Sequence, residues 1–417
     1  MNLLKFKLAV KALWVVFLIA ALACSKKEPS PNILPPDGPY PTILIAQAQF
    51  LYEEKDGKRL PKPGPAILTI KQKTAAGWRD TVIEDPKSNV FHKAIIFNDR
   101  SAKRILTVAA MGAALKLWEF RENAWHQKRV WNPVFGGTWD RLRDVETGDI
   151  TGDGKPEIVI ATHDQGVVAV AMLNDQGWKV KEIDREPDIF VHEIEIGDVD
   201  GDGKNEFFAT PSQHNKAKGG PQPGKVVMYK WNGKSFTKKV VDRFEKTHAK
   251  EILVCDIDGR GFATLFSVLE AETKDEGGQT VRTEPVKIKK YTFKNNLITN
   301  QVIATLDDFQ CRFLTAGDVD GDGQIELVAA AMKTGLWMIK RQDGQWKVSL
   351  IAADSSGYEH ATYIDDLDKD GLQEIYVAAD DQQELCMYKW NGNGFSKTVL
   401  SSIPPNRITW NVTTGIF

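Results

Sequence analysis

One acidic pattern recurs through the C-terminal two-thirds of this 417-residue chain and constrains its fold more than any other feature. It reads Asp198-Val-Asp200-Gly-Asp202-Gly-Lys204-Asn-Glu206, then Asp318-Val-Asp320-Gly-Asp322-Gly-Gln324-Ile-Glu326, then Asp366-Leu-Asp368-Lys-Asp370-Gly-Leu372-Gln-Glu374. A weaker copy, Asp149-Ile-Thr151-Gly-Asp153-Gly-Lys-Pro-Glu157, has a hydroxyl at its third position, and a damaged one begins at Asp256-Ile-Asp258. Oxygen side chains at alternate positions, a glycine for the sharp turn and a final carboxylate make a cage for a hard cation. Each copy runs into an apolar stretch such as Ile158-Val-Ile-Ala161 or Leu327-Val-Ala-Ala330. An ion loop joined to a strand and repeated is the mark of a modular architecture.

A second marker repeats independently of the acid loops. An aromatic or apolar residue follows a polar turn at Trp78, Trp125, Trp178, Phe236, Leu297, Trp346 and Phe395, at a mean spacing of about 53 residues. Alternating strands flank it, such as Val226-Val-Met-Tyr-Lys-Trp231 before and Lys238-Lys-Val-Val-Asp242 after. Trp231-Asn-Gly and Trp390-Asn-Gly carry a hairpin signature. Each unit is therefore strand A, acidic loop, strand B, variable loop, strand C, tight turn, strand D. Seven such units predict an all-β chain, a seven-bladed β-propeller of four-stranded antiparallel blades, although six or eight blades also suit the spacing. The first unit lacks an acidic strand A, and the terminal Arg407–Phe417 segment is a strand A without partners. The C-terminal strand is thus expected to close the ring in one blade with residues 41–53.

The acidic loop followed by an apolar strand resembles the FG-GAP repeats of integrin α-subunit propellers, and more closely their bacterial VCBS-type relatives, over roughly residues 90–385. The resemblance implies calcium, with side-chain ligands at loop positions one, three, five and nine and a carbonyl at position seven. It nominates Asp198, Asp200, Asp202, Lys204 and Glu206; Asp318, Asp320, Asp322, Gln324 and Glu326; Asp366, Asp368, Asp370, Leu372 and Glu374; and, as a weaker site, Asp149, Thr151, Asp153 and Glu157. Three to four structural Ca2+ ions are expected. In the damaged loop Arg260 stands at position five and Thr264 at position nine, so that loop is expected to supply its own cation.

Residues 1–23 are expected to be a targeting segment, with Lys5, Lys7 and Lys11 ahead of an apolar run too short to span a bilayer comfortably. The sequence Ala21-Leu22-Ala23-Cys24 resembles a bacterial lipobox, which implies acylation of Cys24 and a membrane partner. Residues 24–40 form a Pro-rich tether and 41–417 the propeller domain. The expected location is the bacterial cell envelope, at the outer membrane in a diderm host. Without the three signal lysines the formal charge moves from −2 to −5. With no Lys/Arg-rich run, nucleic acid is not an expected partner. Cys255, Cys311 and Cys386 have no CxxC spacing. A Cys255–Cys311 disulfide and three free thiols both remain open.

Six residues before each loop's first Asp, a base recurs: Arg143, His192, Lys250, Arg312 and His360, with His248 nearby. By the same alignment His92 and Arg407 head two further strands. Six strand residues span about 20 Å, so these groups are expected on the face opposite the acid loops. Trp139, Phe190, Phe309 and Tyr358 fall on the same side, as do the long loops 211–224 and 270–285. Aromatic surface beside Arg and His suits an acidic sugar. No sequence signature of a catalytic triad, phosphate loop or thiolate zinc site is present. The expectation is a binding or scaffold module for an envelope protein or acidic glycan. The alternative is a carbohydrate-active lyase or isomerase.

Overall fold

The computed structural model describes residues 39–417 apart from 56, 99–101, 137–139, 215–218 and 296. The expected signal segment, the expected tether up to residue 38, Cys24 and Trp139 lie outside the described residues. Seven four-stranded antiparallel blades form the ring, the first with Lys58–Pro63 added along the end of Pro41–Lys55, and among the described residues there is no helix. The innermost strands, in ring order, are Arg407–Ile416, Phe91–Asn98, Leu142–Gly148, Phe190–Gly197, Ala249–Cys255, Cys311–Gly317 and Thr362–Asp365. Each packs against the next, and Thr362–Asp365 packs against Arg407–Ile416 to complete the circle.

Closure follows the expected arrangement. The C-terminal strand pairs with Pro41–Lys55 from Pro41↔Ile416 to Gln49↔Arg407, and Pro41–Lys55 continues into Ala66–Thr74 and Gly77–Asp85. All seven aromatic or apolar markers fall in the first two residues of an outermost strand, such as Trp178 in Gly177–Asp184 or Phe395 in Phe395–Ser402. The second strand of blades 3 to 7 is buried along its whole length, for example Glu326–Ala331. A strand covered on both faces reads as an unbroken apolar run, hence Leu327-Val-Ala-Ala330. The core lies between blades: Ile158 and Ile160 meet Leu106 and Leu115 of the preceding blade, while Val159 and Ala161 face Val191 and Phe207 of the following one. Cys255, Cys311 and Cys386 are free thiols.

One irregularity recurs on the inner strands. Leu142 pairs with Thr162 and Asp144 with Ala161, so Arg143 is left out of the ladder. His92, Lys250, Arg312 and Trp410 are left out in the same way. In blade 4 both His192 and Glu193 stand opposite Thr210. A bulge inserts an extra residue and re-aims its side chain. Two consecutive residues of each such strand can then point at the axis. At the far end of the inner strands the blades converge until a side chain no longer fits. A Cβ on Gly197 would stand 2.5 Å from Val254 Cγ1, and one on Gly317 equally close to Ile364 Cγ2.

Overpacking by one methyl in such a contact costs about 1–3 kcal/mol. Gly197→Ala and Gly317→Ala are each expected to lower unfolding free energy by about that much in urea titration, and removal of residues 407–417 to abolish the cooperative transition altogether.

Candidate metal loops and ligand-binding face

The acid loops connect the first and second strands of their blades at one end of the ring. In each, the first Asp ties the turn together: Asp198 accepts from the Gly201 and Gly203 amides at 2.7 and 2.8 Å, and Asp318 from Gly321 and Gly323 at 2.8 and 2.9 Å. The last Glu begins the second strand and is fully buried; Glu206 and Glu326 accept from the Val199 and Val319 amides. Ligand-capable oxygens of Asp198, Asp200 and Glu206 lie within 4.8 Å of one another, as do those of Asp318, Asp320 and Glu326, and of Asp366, Asp368, Asp370 and Glu374. The three full loops thus could hold a metal ion. Asp202 and Asp322 stand slightly apart from these groups, accepting from the Lys204 and Gln324 amides, as Asp370 accepts from Leu372.

A lysine from the third strand reaches into each full loop, which the sequence reading missed. Lys230 Nζ lies 2.6, 2.8 and 2.7 Å from Asp200, Asp202 and Glu206. Lys340 contacts Asp320, Asp322 and Glu326 at 2.6, 2.7 and 3.3 Å, and Lys389 contacts Asp368, Asp370 and Glu374 at 2.8, 2.7 and 2.6 Å. Clustered carboxylates repel and demand a positive charge. Burial, with Asp320 close by, pushes Glu326 up to about 7. The donor set therefore fits a hard cation, for which the ammonium substitutes. The Asp149 loop keeps the backbone pattern, with Asp149 accepting from Gly152 and Gly154. By strand register, however, Met172 takes the place of the lysine. In the damaged loop Arg260 donates to Thr264 at 3.0 Å and lies 3.5 Å from Asp258, which Lys290 also reaches at 3.0 Å.

At the opposite end the bulged residues meet around the axis. Arg312 pairs with Glu359 at 2.5 Å, and Arg143 approaches the other oxygen of Glu359 at 3.6 Å, so one carboxylate spans the channel between blades. Lys250 Nζ stands 3.1 Å from His192 Nδ1, and His192 Nε2 lies 2.8 Å from Ser212 Oγ. Burial, reinforced by Arg312, lowers Lys250 to about 7. Burial, followed by the Lys250 charge, holds His192 well below its usual range. His360 is buried with both ring nitrogens engaged, at 2.7 Å from Ser355 Oγ and 2.7 Å from the Ala331 carbonyl. Arg407 donates to Gln47 at 3.2 Å, and the bulge of its strand belongs to Trp410. The structure thus gathers Arg143, His192, Lys250 and Arg312, and leaves His360 and Arg407 beside this group with local partners. Most of their charge is compensated from within by Glu359 and Glu270, whose placement no sequence spacing indicated.

Beside this mouth lies a cavity of about 390 Å³. Its lining includes Arg312, His248, Glu270, Phe309 and Tyr358, and its wall is built by both long insertions, through Gly219–Gly220 and the hairpin strands Glu272–Glu276 and Gln279–Glu284. Phe309 and Tyr358 are 42% and 41% exposed, large for aromatics with no covering strand. The Arg312 guanidinium sits 4.3 Å from the Tyr358 ring centre. Burial lowers His248 to about 4, and neither of its ring nitrogens has a hydrogen-bond partner. Burial would raise Glu270, but His248 and Arg312 hold it lower. Phe190 is stacked between His163 and His214 and is nearly covered.

The FG-GAP-like repeat family matches residues 149–209 and 318–377, the passages from blade 3 into 4 and from blade 6 into 7. Two passages of this seven-bladed propeller thus carry FG-GAP-like repeats. No curated protein matches it in sequence. Solved structures share the propeller fold at low identity. A candidate 6-phosphogluconolactonase of Bacteroides uniformis is 12% identical, with TM-score 0.55, covering 90% of this chain and 100% of its own. The periplasmic gluconolactonase of Pseudomonas aeruginosa is 13% identical, with TM-score 0.54, covering 90% and 99%. A Lactobacillus plantarum protein is 11% identical, with TM-score 0.52 and the same coverage.

Replacing a lysine plug isolates its role. In chelator, Lys340→Met is expected to lower stability by about 1–3 kcal/mol through the uncompensated carboxylates. Added divalent cation is expected to restore more of the loss than it adds to the unaltered chain, as read by thermal melts at matched ionic strength.

Proposed function

We propose that this FG-GAP-repeat propeller is a calcium-stabilised binding module, held by lipid on Cys24 at the bacterial cell envelope, which recognises an acidic glycan in the aromatic cavity. The observation that carries the reading is the pairing of exposed Phe309 and Tyr358 with a floor of Arg312 and of His248, whose ring nitrogens have no hydrogen-bond partner. Aromatic faces stack on a pyranose ring, the guanidinium supplies charge-assisted bonds to a carboxylate, and the neutral imidazole offers one donor and one acceptor. The insertions that wall the cavity belong to blades 4 and 5, which suits a ligand held to one side of the axis.

Calcium is the ion proposed for the full loops, because their donors are hard oxygens without nitrogen or sulfur in the cage. Asp198, Asp200, Asp202 and Glu206, with the corresponding residues of the other two loops, would hold it, and the Lys204, Gln324 and Leu372 carbonyls would complete the shell. Bound calcium would fix the loop and leave the chemistry of the opposite face untouched. A site that binds only the folded chain adds about 2.7 kcal/mol at a hundredfold excess over Kd. Calcium is therefore expected to raise the melting temperature, EDTA to reverse the shift, and Asp200→Ala to remove part of it.

A second reading is carried by His248 beside Glu270, a neutral base next to a carboxylate within a cavity, and by the gluconolactonase names of two of the fold relatives. In that case a lactone or uronate would be turned over there. Calorimetry with uronate oligosaccharides, in parallel with lactone hydrolysis and the ultraviolet signal of an unsaturated uronate, separates the two. The binding reading expects affinity without turnover, and a loss of about 3- to 10-fold on Tyr358→Ala. Turnover abolished by His248→Ala would replace it with the enzymatic one.

A further inference from the structure

The interior of the channel has a chemistry of its own, distinct from both its ends. A cavity of about 410 Å³ runs along the axis, and five carboxylates line it: Asp144, Glu146, Glu193, Glu195 and Glu251. They come from three adjacent inner strands, at the bulge and at alternate positions beyond it, so all project inward. Lys93 from the neighbouring blade reaches Asp144 at 2.9 Å and Glu146 at 2.5 Å, and only grazes Glu193 at 3.9 Å. Arg143 and Arg312 also line the cavity, but both are engaged by Glu359. Glu251 is only 7% exposed, and among the described residues its carboxylate has neither a hydrogen-bond nor an ion-pair partner. A carboxylate so placed is either protonated or offset by a cation that the protein does not supply.

The channel is open at one end. Arg143, Lys250, Arg312, Glu359 and His360 are all buried at the mouth behind the aromatic cavity, whereas Thr147, Ala316 and Thr414 at the acid-loop end are half-exposed. A cation arriving from that end passes the rim of acid loops, whose field raises its local concentration.

We propose that this chamber binds a hydrated divalent cation of the magnesium class, held through its water shell by Glu193, Glu195 and Glu251. The carboxylates are too dispersed for a bare ion, since among the described residues they form no group with oxygens within 4.8 Å of one another. Magnesium keeps several of its waters when bound, and six waters at about 30 Å³ each fit the volume. Thr147, Thr315, Thr413 and Asn411 add neutral oxygens around the shell. Burial, and then the neighbouring acids, hold Glu193 and Glu251 well above the usual carboxylate range, so the rival arrangement is a set of protonated acids that needs no ion.

The probes are Mg2+ and its scattering analogue Mn2+, on the intact chain. Crystals equilibrated with Mn2+ are expected to show an anomalous peak in the channel between Glu193, Glu195 and Glu251, apart from any peak at the loops. In calorimetry with Mg2+ at saturating Ca2+, Glu195→Gln/Glu251→Gln is expected to lose one equivalent and at least tenfold in affinity. Asp320→Ala, which alters a loop, is expected to keep that equivalent. Anomalous density confined to the loops, or a double variant that binds Mg2+ as the unaltered chain does, overturns the proposal. Should the double variant fail to fold, the crystal of the unaltered chain decides.

Discussion

The antiparallel pairing between Arg407–Ile416 and Pro41–Lys55 is the contact on which the molecule depends. Every other blade is continuous in sequence and could form its hairpins locally, but a ring of sheets buries its side faces only when first and last meet. The closing pair joins residues more than 350 positions apart, a long-range contact that folding must complete late or through slow search. Once it is made, the inner strands lie around one axis at a spacing set by glycines such as Gly197 and Gly317. Ion loops, channel and aromatic cavity all take their positions from that convergence.

Charge in this ring is organised in layers along the axis. The acid loops and their lysines occupy one end, five carboxylates and Lys93 the middle, and guanidinium groups bridged by Glu359 the other. In each layer most charges are compensated by a residue from another strand or blade. The bulges make this layering available, because a regular strand would send alternate residues into the blade interface. Two polar groups stand out from this pairing: the Glu251 carboxylate in the channel and the His248 ring beside the aromatic cavity.

Much of the fold was legible because its signals are local. A nonapeptide that builds a turn and an aromatic marker at the start of each outer strand both repeat, counting them favours seven blades, and the unpartnered terminal strand points to closure. The loop carboxylates were equally legible, since each cage comes from one continuous segment. What escaped was assembled across strands. Lys230, Lys340 and Lys389 stand next to the tight turns, and their repeated place before the marker aromatic was visible, but only strand pairing reveals what they face. Glu193 and Glu195 alternate with Ile194 and Ile196 as in any half-buried strand, and nothing in that pattern says that the polar side lines a channel. The recurring bases at the heads of the inner strands were found by register. Their neutralisation by Glu359 and Glu270 was not, because those acids arrive from loops that the repeat does not specify.

In six blades the first strand runs on into the second through a connecting turn at the acid-loop end; in the first blade that turn is missing. There the described residues begin and end, with Tyr40 and Phe417 exchanging two backbone hydrogen bonds at 3.0 Å. Both ends of the described residues therefore share the acid-loop face, and the opposite face, with Phe309 and Tyr358, is left clear of either.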